Sequence, residues 1–326
     1  MDARGGIRPM LVNSYEAAAD RMLREVADEQ GDRVTLKARL ADVIDVDGMD
    51  GLSRQAKSYA LAAHLDFVMV DKATSKGRFA VELDGRQHFA DSVTLKRDAL
   101  KDDLCERAGL PLLRITSDFA RKVGRWRVLA YLTEAFYRSE AFFEAQRQGQ
   151  VPYDEPFDMG SFIVRDEKGR ISFDTLDAGV ILAFHQHYRA GRLPALLPDV
   201  FSTDLPKQRA VQAYGWIAVA PDRYLLARTI VRRFLFQGIG PSDLAEQLTM
   251  VELGNLAQQW LKGEAAAVNG RALRKAVSEV QAAIDAGDLL MAAFGDALRA
   301  GGAEGPVLKR SPAVPPYRTH SRKRTT

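Results

Sequence analysis

Three acids stand on two short apolar runs in the stretch "HLDFVMVDKATSKGRFAVELDGRQHF": Asp66 on the first run, Glu82 and Asp84 on the second. Burying an ionised carboxylate costs several kcal/mol unless something compensates it. Alternate residues of an extended chain share a face, so Glu82 and Asp84 point one way and Val81 and Leu83 the other. A hairpin joining the two runs brings Asp66 near Glu82. Carboxylates converging at the end of a sheet suit a hard cation such as Mg²⁺, which takes oxygen ligands, keeps several waters and needs only one or two protein carboxylates. A competing reading is structural, since Asp-Gly is a common turn pair and Asp66 can cap an edge. Against it, Gly85 is followed by a polar "RQHF" and then a helical pattern, so Asp84-Gly85 does not join two strands.

The elements that must position these acids follow from periodicity. "NSYEAAADRMLREVADEQG" offers Asn13 as N-cap with Glu16 three residues on, then Tyr15, Ala18, Ala19, Met22, Leu23 and Val26 on one face, and Gly31 at the end. "DRVTLKARLADVIDV" reads as a first strand whose later half is helical or irregular, and residues 45–58 turn polar. The two acid-bearing runs form an antiparallel hairpin around "DKATSKG". "DSVTLKRDALKDDLCERAG" lines up Val93, Leu100 and Leu104 beside Arg97 and closes on Gly109. "LPLLRIT" suits a buried strand, and a long helix is expected from about Phe119 through Gln146. Helix, three strands, helix, strand, helix makes a small mixed α/β sheet with helices on its faces.

The series "LDF", hairpin, "VELDGRQH", then "KRDALKDDLCERAGLPLLRI" resembles the PD-(D/E)XK nuclease superfamily, and within it domains of unknown function related to very-short-patch repair endonucleases. The resemblance covers about residues 13 to 137 and implies a restriction-endonuclease-like αβββαβ core within residues 1–150. It implies that Asp66 and Glu82 coordinate Mg²⁺ or Mn²⁺ with the backbone carbonyl of Leu83, and that Glu16 adds the helix acid of some members. The lysine that the family places two residues after the second acid is here Asp84. Phosphodiester hydrolysis needs a metal-activated water and a group to orient or deprotonate it, so Asp84 is expected as a further ligand and His88 or Gln87 as the group that positions the water. Arg97 and Lys101, one helical turn apart, can hold substrate phosphates; alternatively they form a solvated charge array with Asp98 and Asp102.

Residues 151–304 read as a mainly helical accessory domain for substrate or partner contact, possible protein partners included. "GSFIVRDEKGRISF" suggests a hairpin and "DTLDAGVILAFHQHYRAG" a helix with Asp174 and Asp177 as a capping pair. Further helices are expected in "PDRYLLARTIVRRFLFQG", "GRALRKAVSEVQAAIDAG" and "LLMAAFGDALRAGG". His185 and His187 face about 200° apart on a helix, which favours packing or surface roles over a metal. "PSDLAEQLTMVELGNLAQQWLKG" is similar to a helix-turn-helix, although generic helical packing explains it equally well.

Residues 305–326 hold Lys309, Arg310, Arg318, Arg322, Lys323 and Arg324 with no acid, which leaves 40 basic against 43 acidic side chains elsewhere. Such a proline-containing basic tail is expected to be disordered and to attract phosphate polymers, Arg322, Lys323 and Arg324 above all, although a merely solubilising end is equally common. The single Cys105 excludes an intrachain disulfide and a cysteine-based zinc cluster. With no apolar leader and no run near the ~20 residues of a membrane span, the reading is a cytoplasmic protein with no membrane contact. Two functions remain: a metal-dependent nuclease acting on nucleic acid, DNA first, or a catalytically inactive nuclease-like scaffold that binds nucleic acid or a partner.

Overall fold

The computed structural model describes residues 10, 11, 13–84, 92–124, 126–165, 169 and 171–291. His88 and Gln87 lie outside these residues, as do Arg322, Lys323 and Arg324 and the whole of the basic tail.

Helix α1, Ser14–Gln30, starts where Asn13 accepts from the amides of Tyr15 and Glu16 and stops at Gly31, whose φ of +73° places it in the left-handed region. Ala19, Met22, Leu23 and Ala27 are buried, whereas Tyr15 is 55% exposed and does not join the buried stripe. Strand β1, Asp32–Arg39, runs into a single helical turn, α2, Leu40–Val43, and α3, Arg54–Ala62, rises from the polar stretch with Ser53 as its cap. Strands β2, His64–Asp71, and β3, Gly77–Leu83, form the expected hairpin. Helix α4, Ser92–Ala108, then crosses over to β4, Leu112–Ile115, which pairs parallel to β3. The sheet order is β1-β2-β3-β4, antiparallel for three strands and parallel for the last.

Both faces of this sheet are covered. Phe67, Met69, Phe79, Val81, Leu113 and Ile115 pack in the layer that also buries α1. Val68, Val70, Ala80 and Leu112 pack in the other with Leu40, Ala60 and Leu104. Alternation breaks at one place: Leu65 belongs to the second layer and Phe67 to the first, although two residues apart on a regular strand share a face. There the β1–β2 register passes from Leu36↔Phe67 to Ala38↔Leu65 without pairing Lys37 to Asp66, and Lys37 takes a φ of +48°.

The expected long helix begins later than Phe119. A short helical turn, Ser117–Ala120, and a two-stranded ribbon, β5, Lys122–Val123, with β6, Trp126–Arg127, precede α5, Val128–Arg147. The hairpin of β7, Ile163–Arg165, and β8, Ile171–Phe173, and helix α6, Ala178–Arg189, form as expected. Asp177 stands at the N-cap of α6 but makes no side-chain cap bond, and Asp174 accepts from the indole of Trp126 at 3.1 Å and pairs with Arg138.

The rest of the C-terminal half corrects the mainly helical expectation. Strands β9, Asp199–Leu205, β10, Ala210–Ala220, and β11, Arg223–Arg232, form an antiparallel sheet. Helices α7, Pro241–Leu261, and α8, Gly270–Asp285, pack against it, and β12, Leu290–Met291, adds an edge in the order β11-β10-β9-β12. The segment "RYLLARTIVR", read as helix, is β11. Its neighbour β10 is covered by Leu253 and Ala257 on one side and by Leu273 and Val277 on the other, so its apolar residues run on without alternation.

The sequence similar to a helix-turn-helix is the single helix α7. Gly254 sits inside it because Val180 of α6 approaches: a Cβ there would stand 2.5 Å from Val180 Cγ1. Gly254→Val is therefore expected to cost roughly 1–3 kcal/mol by overpacking, measured as a lower urea midpoint with an unchanged slope.

The two halves share a core. Val211, Val231, Phe234, Leu244 and Val251 belong to the same apolar cluster as Leu23, Phe67 and Phe136. Backbone bonds join Leu112 and Leu235 in both directions, and Phe236 stacks on Phe136 with ring centroids 5.2 Å apart. Among the described residues no helix is long and apolar enough to cross a membrane.

Candidate functional site

The broken register at Lys37 creates the site. Its left-handed backbone costs an L-residue with a Cβ on the order of 1–3 kcal/mol, and such strain persists only where surrounding contacts hold it. Here Lys37 Nζ lies 2.6 Å from Asp66 Oδ1 and 3.1 Å from Glu16 Oε1, joining β1, β2 and α1 through one ammonium. Asp66 Oδ2 accepts from the backbone N–H of Leu83 at 2.9 Å. Glu82 Oε1 accepts from the backbone N–H of Asp66 at 3.2 Å, and its Oε2 accepts from Lys101 Nζ at 2.7 Å. Lys101 also donates to the carbonyl of His64 at 2.8 Å.

Pairing of β2 with β3 therefore brings together Asp66, Glu82 and the backbone N–H of Leu83, and Lys37 links Glu16 of α1 to Asp66. The cluster also holds two lysines that the sequence reading did not place there. Three carboxylates against two ammoniums leave one negative charge in excess. Burial pushes the Glu82 carboxyl up from its ordinary value, opposed by Lys101 and reinforced by the nearby Asp66. Burial acts to lower the Lys37 ammonium, but Asp66 and Glu16 outweigh it and hold the group above the usual lysine value. Lys37 thus stays protonated through neutral pH, which suits it to orienting or stabilising negative charge and not to acting as a base.

Lys101 is only 8% exposed and faces Glu82, while Arg97 is exposed, so the two do not form a joint phosphate clamp. Nor are Asp98 and Asp102 solvated: both are buried.

Asp84 lies apart from the lysine-bridged cluster. Its carboxylate is 2% exposed, 3.2 Å from Arg114 and 3.4 Å from Arg232. Arg114, itself 1% exposed on β4, also reaches Asp102 at 2.9 Å and Asp98 at 3.5 Å. Arg232 pairs with Asp98 at 2.9 Å, and Arg209 with Asp102 at 2.6 Å. Three aspartates and three arginines balance in charge, and the flanking carboxylates drive Arg114 well above its already high pKa despite burial. The Asp84 carboxylate, expected as a further metal ligand, is here paired with Arg114 and Arg232 inside the chain.

Among the described residues no group of three or more His, Cys, Asp or Glu side chains stands close enough to hold a metal ion. The donor set of Asp66, Glu82, Glu16 and the Leu83 carbonyl is nonetheless the hard-oxygen kind that Mg²⁺ or Mn²⁺ takes. Lys37, its side chain 32% exposed, occupies the Asp66 oxygen such an ion would use, and Lys101 the Glu82 oxygen. Elsewhere, burial pushes the Cys105 thiol up to about 12, which leaves it unreactive as a nucleophile.

Lys37 carried a weak sequence signal: in "VTLKARL" it alternates with Leu36 and Ala38 as a polar face would. Nothing in the linear spacing placed it opposite Asp66. Residues 8–128 match the model of the family described as Protein of unknown function (DUF2726), a span that includes Glu16, Lys37, Asp66, Glu82 and Lys101 and ends before Arg209 and Arg232. No curated protein matches the chain, and no solved structure does.

Proposed function

We propose that the chain is a metal-dependent nuclease that hydrolyses phosphodiester bonds of nucleic acid, DNA first, at the cluster of Asp66, Glu82, Glu16 and Lys37. The observation that carries the reading is the strained Lys37: a left-handed lysine held against two carboxylates at the end of a sheet supplies the cation that the sequence lacks at Asp84. The restriction-endonuclease-like likeness of the β1–β4 core, with α1 and α4 on opposite faces, belongs to the same proposal.

A bound Mg²⁺ or Mn²⁺ would activate a water and stabilise charge developing on the phosphate. Asp66 and Glu82 with the Leu83 carbonyl would hold the cation, and Glu16 would add a further oxygen. Lys37, more exposed than its partners, would offer its ammonium to a phosphate oxygen of the substrate. Lys101 keeps Glu82 aimed while remaining buried. Gln87 or His88, in the segment between β3 and α4, positions the water, and Arg97 contacts the backbone of the substrate.

One observation favours a second reading. Each oxygen of Asp66 and Glu82 already accepts from a donor of the chain, so the cluster is neutralised to within one charge without a metal. A catalytically inactive scaffold that binds nucleic acid or a protein partner is the form this reading takes. Incubation with supercoiled, linear and single-stranded DNA in Mg²⁺ or Mn²⁺ separates the two: strand breaks that chelator abolishes support the nuclease, and intact DNA of every form supports the scaffold.

The basic tail supplies a sequence-independent phosphate attraction under either reading. Removing the residues after Gly305 takes away six positive charges and is expected to flatten the dependence of DNA affinity on salt, measured as the slope of log K against log salt. An unchanged slope would assign the phosphate contacts to the folded part instead.

A further inference from the structure

We infer that Arg209 and Arg232, supplied by the C-terminal half, are positioning residues of the carboxylate cluster: they set where Lys101 meets Glu82, so that residues beyond the 8–128 segment complete the site. The inference deepens the proposed function and rests on it only for its activity readout.

Asp98, Lys101 and Asp102 lie within one turn of α4, on the side facing the sheet. Arg232 of β11 grips Asp98 at 2.9 Å, and Arg209, just before β10, grips Asp102 at 2.6 Å. The two arginines thus hold α4 three residues before Lys101 and one residue after it. From that turn Lys101 extends to Glu82 at 2.7 Å and to the His64 carbonyl at 2.8 Å.

Arg232 does a second thing with the same guanidinium. Its Nε lies 3.4 Å from Asp84, two residues beyond Glu82 on the same face of the chain. One side chain of the second sheet therefore ties the strand that carries Glu82 to the helix that carries Lys101. Asp84, Asp98, Arg114 and Arg232 are all nearly or fully buried, so the ties act in a low-dielectric interior where their geometry is tightly defined. With the buried Lys101 side chain held in its rotamer, a shift of α4 away from Glu82 by about one ångström would take the 2.7 Å pair beyond hydrogen-bonding distance. This also accounts for an aspartate at position 84: the site takes its exposed cation from Lys37, and Asp84 anchors the other half of the molecule.

A merely adhesive network would lower stability when cut and leave the surroundings of Lys101 alone. The test is the acylation rate of individual lysines in the folded full chain, read by peptide mass spectrometry. Arg209 carries it, because it is 38% exposed and its loss leaves Arg114 on Asp102. In Arg209→Met, Lys101 is expected to acylate faster by about fivefold, the size of a typical coupling between neighbouring groups, with the exposed Lys275 unchanged. Arg209→Lys is expected to restore slow acylation.

A folded Arg209→Met in which Lys101 reacts no faster overturns the inference, and so does a rise shared equally by Lys275, which would mean general loosening. If the wild type cleaves DNA, Arg209→Met added to Lys101→Met should cost nothing further in the cation concentration for half-maximal rate; a fully additive loss overturns the inference. A wild type that cleaves nothing counts against the nuclease reading alone, because the acylation result does not depend on it.

Discussion

Replacing Arg114 by methionine is expected to lower the stability of the full chain by roughly 3–5 kcal/mol, a large share of the total for a protein of this kind. The methionine keeps much of the buried stem volume, so the loss is not chiefly one of packing. It arises because Asp84, Asp98 and Asp102 remain in a nearly dry interior with one fewer arginine between them. Arg232 and Arg209 still hold an oxygen each on Asp98 and Asp102, but the carboxylate oxygens facing Arg114 lose their cation. Urea unfolding followed by tryptophan fluorescence measures the change. Arg39→Ala, which cuts an exposed pair with Asp42, gives the contrast and is expected to leave the unfolding midpoint almost unmoved. Equal losses in the two variants would mean that the buried network contributes no more than a surface pair.

The second large effect concerns Lys37. Lys37→Gly is expected to reduce cleavage by about 10²–10³-fold, as the removal of one positioned donor does in other hydrolytic sites. Stability should move by no more than about 1 kcal/mol, because two terms oppose each other. Glycine relieves the left-handed strain at φ +48°, about 1–3 kcal/mol, but gives back about 0.5–1 kcal/mol because the freer unfolded chain loses more entropy on folding. Against this stands the loss of two partly exposed ion pairs, with Asp66 and Glu16, each worth about 0–1 kcal/mol. Single-turnover cleavage and urea unfolding on the same preparation give both numbers. A stability loss of several kcal/mol with unaltered cleavage would make Lys37 a structural residue.

Much of the first half was legible because its signals are local. Asn13, Gly31 and Gly109 mark helix ends by rules that act over three or four residues, and the β2–β3 hairpin is bounded by its own turn residues. The carboxylates were legible for the same reason, since period two puts Glu82 and Asp84 on one face and a hairpin brings Asp66 across. Lys37 was not legible, because its role depends on a register break that only pairing with β2 creates.

The arginine network was hidden more deeply. Arg114 sits in the apolar run "LLRI", and Arg232 lies more than 100 residues further on, where no spacing rule joins them. The second sheet was missed because helices cover both of its faces, which removes the alternation that marks a strand. In α7, Gly254 marks the point where α6 comes close, which no local signal in the sequence shows. In α4, the charges that looked solvated turn inward, because arginines from elsewhere in the chain meet them.

The claim that the lysine-bridged carboxylates are the active centre is tested most directly by one comparison: cleavage of a labelled DNA substrate in Mg²⁺ by the wild type, Asp66→Ala and Glu82→Ala, each at the same folded concentration. The account predicts cutting by the wild type and a loss of at least about 10²-fold in both variants. Cleavage by either variant at the wild-type rate would contradict it.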